Sequence, residues 1–389
     1  QLFPQIGYGA DASRAQASRI GQPPLPPGAD ATFSLFQASL GASWQLDLFG
    51  RVRRQSEAAQ AQVFASEQAQ RGVVLTLVSN LATSYVALRA LDRQLEIARA
   101  TTANFEKTAH IFDLRYKQGV VSKVEVMQIT SQVQQAKAAI PLFEQAIAAQ
   151  ENLISLLLGR NPGPIPRGKT IDQLLAPVIP ADLPSTLLER RPDVLQAEQN
   201  LVAANANVGA ARALYYPNIS LTGLLGTVST TFSDLFTGPS QAWRAGGSIA
   251  GPIFTFGAVR GQNASADAVR EQALLGYQQT ILNAFRETND ALTGSALKAN
   301  ELAEQQARVA ALRDFARLSN LRFENGMTSY IDVLVAENEL FAAELASVRI
   351  SAERQAQVIN VYRAMGGGWV TTATNQANNA PAKASASGG

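Results

Sequence analysis

Three groups of residues in this 389-residue chain are of types that do chemistry. The stretch Gly163-Pro164-Ile165-Pro166-Arg167-Gly168-Lys169-Thr170 satisfies the G-x-x-x-x-G-K-[ST] pattern of a phosphate-binding loop. Such a loop cradles phosphate with successive backbone N–H groups and is followed by a helix whose N-terminus faces the anion. Pro164 and Pro166 offer no N–H, and Pro177 cuts short any helix opened by Ile171. The match therefore reads as a coincidence in a Pro/Gly-rich connector. The second group is His110, the only histidine, beside Ala109; the chain has no cysteine, which excludes zinc and thiol chemistry and calls for no cofactor. His110 reads as a surface or interface residue. The third is a pair of acids, Glu125 and Asp332, each just after a glycine turn and downstream of Arg115 or Arg322. Both acids suit helix capping. Repeated around an axis of packed subunits, they would also ring a constriction and favour cations in a narrow pore. The two arginines could hold such a tip closed, with exposed pairs worth only ~0–1 kcal/mol each.

These acids sit in an internal repeat. Phe49-Gly50-Arg51-Val52-Arg53 recurs as Phe256-Gly257-Ala258-Val259-Arg260. Arg115 to Gly119, with Ser122, Glu125 and Val126, recurs as Arg322 to Gly326, with Ser329, Asp332 and Val333. Leu158-Gly159 recurs as Met365-Gly366, and the offset (256−49, 326−119, 366−159) is 207 each time. Length is kept while composition drifts, which suits a rod of set reach better than a pocket.

Each repeat has three parts. From Phe36 to Leu48, apolar and polar residues alternate strictly, with Phe36, Leu40, Trp44 and Leu48 on one phase and Gln37, Ser39, Ser43 and Asp47 on the other. That is a long two-faced strand. A second pair opens at Ile219 and closes over Gln241 to Phe256, and turn-rich loops, from Arg19 to Asp30 and from Ser229 to Ser240, join each pair. A transmembrane β-barrel and a soluble half-buried hairpin meet this pattern equally well. Next comes a Pro-free helical stretch of about 65 residues, on the order of 100 Å, with a stripe at Phe105, Ala109, Phe112 and Tyr116. It ends at Gly119 or Gly326, as a helix C-cap prefers. Ser122-Lys123-Val124-Glu125 and Ser329-Tyr330-Ile331-Asp332 then each predict a capping box opening a return helix, with Pro141 kinking the first.

The predicted boundaries are as follows. The first repeat covers 1–158: strands within 3–50, long helix about 51–118, tip turn 119–122, return helix 123–158. A connector spans 159–182. The second repeat covers 183–366: helix 183–214, strands 215–257, long helix 258–325, tip turn 326–329, return helix 330–366. The tail 367–389 is expected to be disordered. The chain starts at Gln1, and Pro4-Gln5-Ile6 has only three residues before it where Pro217-Asn218-Ile219 follows a helical stretch. A leading helix is therefore expected to be missing from the first repeat.

Composition narrows the class. The chain is 46% hydrophobic but only 16% charged, with net charge +2 and no Lys/Arg cluster, which argues against nucleic acid. No apolar run approaches the ~20 residues of a membrane helix, so strands or a lipid would have to make any bilayer contact.

Further residues carry a resemblance. Leu188-Glu189-Arg190-Arg191-Pro192-Asp193-Val194, Ala203 to Arg212, Tyr216 to Gly223, Gly251 to Gly257 and the tip motif Arg322 to Leu334 together closely resemble the TolC-type outer-membrane efflux factors. They look most like the NodT-like lipoprotein branch serving resistance-nodulation-division pumps. The resemblance implies a mainly α fold with β: a long α-helical coiled-coil barrel plus transmembrane β-barrel strands, in two structural repeats, assembled as a homotrimer with twelve strands. It implies a Gram-negative outer-membrane location reaching into the periplasm, a lipidated N-terminal Cys that this chain does not contain, and a mixed equatorial domain around residues 159–182. The implied partners are outer-membrane lipid, a periplasmic adaptor and an inner-membrane resistance-nodulation-division pump, and the implied role is passive efflux of drugs and other small molecules, without catalysis. The aperture and adaptor-docking tip would comprise Arg115, Gly119, Ser122, Glu125, Arg322, Gly326, Ser329 and Asp332. Where some members place a second acid, this chain has Val335. The alternative is a soluble periplasmic coiled-coil adaptor without a pore.

Overall fold

The computed structural model describes residues 2–18, 31–174 and 190–367. It is mostly helical, with one four-stranded sheet. The chain forms two compact units, one from Gln1–Ser66 and Gln196–Gln278, the other from Glu67–Leu195 and Gln279–Gly389. The loop expected at 19–30, connector positions 175–182, the helix start expected at 183 and the tail from 368 lie outside the described residues.

The first unit holds the sheet. Strands β1 (Gln5–Gln16), β2 (Thr32–Leu46), β3 (Asn218–Ser229) and β4 (Gln241–Ala250) lie in that order, every neighbour antiparallel. The β2 strand falls where the alternation is strictest. Gly226 lets β3 approach it, since a Cβ there would lie 2.3 Å from the Ala38 carbonyl oxygen. The closing strand stops at Ala250, short of the predicted Phe256: Gly251 and Pro252 follow, and proline has no N–H to extend the ladder. Helix α1 (Arg51–Lys117) starts after β2, where the Asp47 carboxylate accepts from the Val52 N–H at 3.1 Å and the Arg53 N–H at 2.8 Å. Further on, Ala58 and Ala61 of α1 meet Ala203 and Ala206 of α3 (Pro192–Arg212) in an all-alanine seam. The described α3 helix begins at Pro192, with proline at the first helical position, where a missing N–H costs nothing.

The second unit is built from the rest of α1, α2 (Lys123–Leu157), the later part of α4 (Ala258–Glu324) and α5 (Tyr330–Ala364). The α1 and α4 helices have 67 residues each, and α2 and α5 have 35 each. They stop one or two residues before the predicted ends at 118, 158, 325 and 366, because the last residues are taken up by the caps. Each ends on a glycine with left-handed backbone, φ +73° at Gly119 and +70° at Gly326. There the Gly119 N–H donates to Tyr116 O and the Val120 N–H to Arg115 O, both at 2.9 Å, and Gly326 and Met327 repeat the pattern. The α2 helix runs through Pro141 unbroken. Contrary to the expectation from apolar runs, α1 contains a window of mean hydropathy 1.4, sufficient by length and composition to cross a membrane. Buried Leu75, Val86, Leu88 and Ala90 of this helix pack inside the unit, and a core-facing stripe passes the same test.

Arg191 pins three elements in this unit. It is 6% exposed, and its guanidinium donates to Asp193 at 3.0 and 2.7 Å, to Glu287 of α4 at 2.7 Å and to the Ala364 carbonyl of α5 at 3.0 Å. Burial alone would raise the Asp193 pKa, but hydrogen bonds and attraction from Arg191 outweigh it and hold the carboxyl below its ordinary value. Because both acids remain partly exposed, screening trims the 3–5 kcal/mol usual for breaking a buried pair, and Arg191→Met should cost about 2 kcal/mol in thermal unfolding followed by circular dichroism. A depressed carboxylate pKa stabilises the fold above its unfolded value of about 3.9 and loses that effect as pH falls through the folded value. The gap between wild type and variant should thus be level from pH 8 to 5 and narrow below about pH 4. A gap that stays constant into strong acid would contradict the pairing.

Candidate functional site

Two features stand out, one in each unit. The first is the two-faced sheet. Directly paired residues share a face, and the registers Tyr8↔Leu40, Leu40↔Leu225 and Leu225↔Trp243 put an apolar set together, joined by Ile6 and Trp44. Tyr8 is 91% and Trp243 78% exposed, so nothing among the described residues covers this face. The opposite face carries Ser39, Gly41, Ser43, Gln45, Thr222 and Ser248, interrupted by Leu224 and Val228. Its polar groups bond across strands, Gln45 to Asn218 at 3.1 Å and Ser220 to Ser248 at 2.8 Å.

The second feature is the end of the second unit where both glycine turns lie. Ser122 caps α2 in a closed capping box: the Ser122 N–H donates to Glu125 at 2.7 Å, and the Glu125 N–H donates back to the Ser122 hydroxyl at 3.4 Å. The corresponding box at Ser329 does not form, which corrects the prediction. Aspartate is one methylene shorter than glutamate, and the Asp332 carboxylate instead accepts from the Thr328 hydroxyl. Asp332 and Val335 are exposed. Arg115 and Arg322, in the last turns of α1 and α4, are also exposed and pair with neither acid within the chain. Arg115 lies over the Phe323 ring, 5.7 Å from its centroid.

Aromatic packing joins the hairpins here. Phe112 of α1 stands 5.9 Å from Phe323 of α4 and 4.3 Å from Tyr330 of α5, and Phe323 and Tyr330 are 5.1 Å apart. Phe105, Val126, Ile129 and Val333 complete the core. The predicted stripe is thus buried at Phe105 and Phe112, but Tyr116 is exposed, with the Lys123 ammonium 5.4 Å from its ring centroid. The Tyr330 hydroxyl is buried, and burial, then the nearby Glu337 carboxylate, push its pKa up against the smaller opposing pull of the Thr108 hydroxyl. Burial likewise raises Glu337, which accepts from Asn320 at 3.3 Å. Both groups escaped the sequence reading, because the contacts that bury them join segments about two hundred residues apart. His110 is exposed.

The phosphate-loop match is occupied by the protein's own groups. The Gly168 N–H donates to the Tyr85 hydroxyl at 2.8 Å and the Ile165 N–H to Glu151 at 3.1 Å. Arg167 pairs with Asp92 and Glu151, and among the described residues only one turn of 3-10 helix, Ile171–Gln173, follows before α3. No cradle is left for an anion.

The model of the outer membrane efflux protein family matches residues 1–160 and 183–367. The cation efflux system protein CusC of Escherichia coli O6:H1 is 36% identical over 344 residues, which span 88% of this chain and 75% of that protein. A crystal structure of CusC superposes with a TM-score of 0.85 at 33% identity, covering 94% of this chain and 84% of that one. The toluene efflux pump outer membrane protein TtgF of Pseudomonas putida is 33% identical over 369 residues, 95% of this chain and 76% of that protein. The probable outer membrane lipoprotein SilC of Salmonella typhimurium is 35% identical over 345 residues, 88% and 75% of the two chains. CusC and TtgF are named for efflux, TtgF and SilC for the outer membrane; the matched family is one of efflux ducts and not of enzymes, and the reading as a pore-free soluble adaptor falls. The chain belongs to the outer membrane efflux protein family and serves as the outer-membrane channel component of an efflux system.

Proposed function

We propose that three copies close their four-stranded sheets into one twelve-stranded barrel and bundle their long helices into a tunnel, giving a passive exit duct across the outer membrane and periplasm. The observation that carries this reading is the sheet itself. It has one apolar face, one polar face and two edge strands, β1 and β4, with no second partner among the described residues, and only closure removes such edges in lipid. Equal helix lengths at an offset of 207, such as Arg51–Lys117 against Ala258–Glu324, support two copies of one structural repeat. Helices of matched reach bring both glycine turns to one level, where a periplasmic adaptor would dock Arg115, Gly119, Ser122, Glu125, Arg322, Gly326, Ser329 and Asp332, with an inner-membrane resistance-nodulation-division pump supplying the energy. Relatives of similar identity named for cations and for toluene favour a duct with few specificity contacts, whose cargo is chosen elsewhere. SilC, named as a lipoprotein, supports attachment to the membrane through a lipid.

Light scattering in detergent should give the mass of three chains, and a monomer would overturn the barrel. In planar bilayers, Asp332→Ala should weaken cation selectivity, since it removes the exposed acid of the second tip; unchanged conductance and ion selectivity would leave Asp332 without a role in the aperture. Gly326→Ala should cost about 1 kcal/mol, seen as a lower unfolding midpoint, with the barrel's trimer mass unchanged.

A further inference from the structure

Charge on the sheet has a simple distribution. Strands β2 and β3 carry none, and the three charged residues, Asp11, Arg14 and Arg244, all stand on the edge strands. Register sorts them by face. Asp11 lies opposite Gln37, and the row of Arg244 runs through Leu224 and Gly41 to Gly7, so both belong to the polar face. Arg14, opposite Ser34, belongs to the other. One acid and one base therefore share a face at opposite edges. Both are exposed, and among the described residues neither makes a salt bridge. Three inter-strand steps of about 4.8 Å keep them apart within one chain.

We propose that Arg244 of one copy and Asp11 of the next pair across the seam where β4 meets β1, and that this pair sets the register of the seam. The inference rests on the trimeric barrel proposed above. Barrel strands tilt by about 35–45°, and with about 4.8 Å between strands and about 3.3 Å per residue, a row shifts by roughly 1.0–1.5 residues per strand. From β1 of one copy to β1 of the next there are four steps, a shift of about 4–6 residues by the same geometry. The direction follows from handedness. The Ala17 N–H donates to Ala31 O at 2.7 Å, so odd-numbered β1 residues turn their backbone groups towards β2 while their side chains line the polar face. With that face inside and the right-handed tilt that strand twist imposes, the row climbs towards the C-terminal end of β1. The Arg244 row, starting at Gly7, thus returns on the next copy between Asp11 and Ser13. At the smaller shift Asp11 is directly opposite Arg244, and at the larger it is the diagonal neighbour, still within reach of a long side chain. A slip of one residue would move either charge to the lipid side, so the pair also selects against misregistered closure.

Charge reversal with rescue tests the pair. Asp11→Arg or Arg244→Asp alone sets like charges together at three seams and should lower the temperature at which the trimer dissociates in dodecyl sulfate by several degrees. The Asp11→Arg/Arg244→Asp double variant should recover most of the loss. Equal midpoints in all four proteins, with the trimer mass intact, would overturn the ion pair and leave the barrel standing. The chain has no cysteine, so Asp11→Cys/Arg244→Cys gives an independent reading without background. A short bifunctional thiol reagent should join its copies covalently, whereas Gly7→Cys/Arg244→Cys should stay unlinked. Linking of the Gly7 variant alone would overturn the register, and a monomer in light scattering would overturn both the pair and the barrel.

Discussion

A four-stranded sheet with two unpaired edges is the constraint on which the rest of this molecule turns. In water, edge N–H and C=O groups are satisfied by solvent. In hydrocarbon each unsatisfied group costs several kcal/mol, so a strand set with an apolar exterior must close on itself. Four strands are too few to close around anything, because a barrel filled only by side chains already takes about eight. On the reading proposed above, the need for further copies therefore arises inside one chain, from its hydrogen-bond inventory, before any contact between copies is considered. The uncharged β2 and β3 agree with this, since only the edge strands need residues that say which neighbour is right.

At the other functional feature, apolar contact takes the place of ion pairing. Among the described residues the tip arginines pair with no acid, and cohesion between the two hairpins comes from Phe112, Phe323 and Tyr330, each pair of rings contributing about 0.5–1.5 kcal/mol beyond burial. A tip built this way holds its shape within one chain while leaving Arg322, Asp332 and Val335 at the surface for contacts outside it.

Much of this was legible because it is local. Alternation over Phe36 to Leu48 located β2, the glycines located the helix ends, and Ser122 with Glu125 predicted a cap that forms. What failed also has a physical reason. Ser329 and Asp332 have the spacing of a capping box but not its reach, and a methylene is invisible to a spacing rule. The end of β4 was overrun because Ile253 keeps the apolar phase after Pro252 has ended the ladder. Arg191 stood in a recognised motif, yet nothing local says that its partners are Glu287 and the end of α5. Contacts between distant segments leave no period to read.

The uncovered apolar face has a thermodynamic consequence. With Tyr8 and Trp243 largely bare in the isolated chain, and with helix seams as thin as Ala58, Ala61, Ala203 and Ala206, the assembly proposed above would draw much of its native free energy from groups that the single chain does not supply. Stability then obeys mass action: the unfolding midpoint depends on chain concentration and on the amphiphile present, as for any fold completed by what it binds. No intrinsic melting temperature belongs to this polypeptide by itself, only to the chain together with its surroundings.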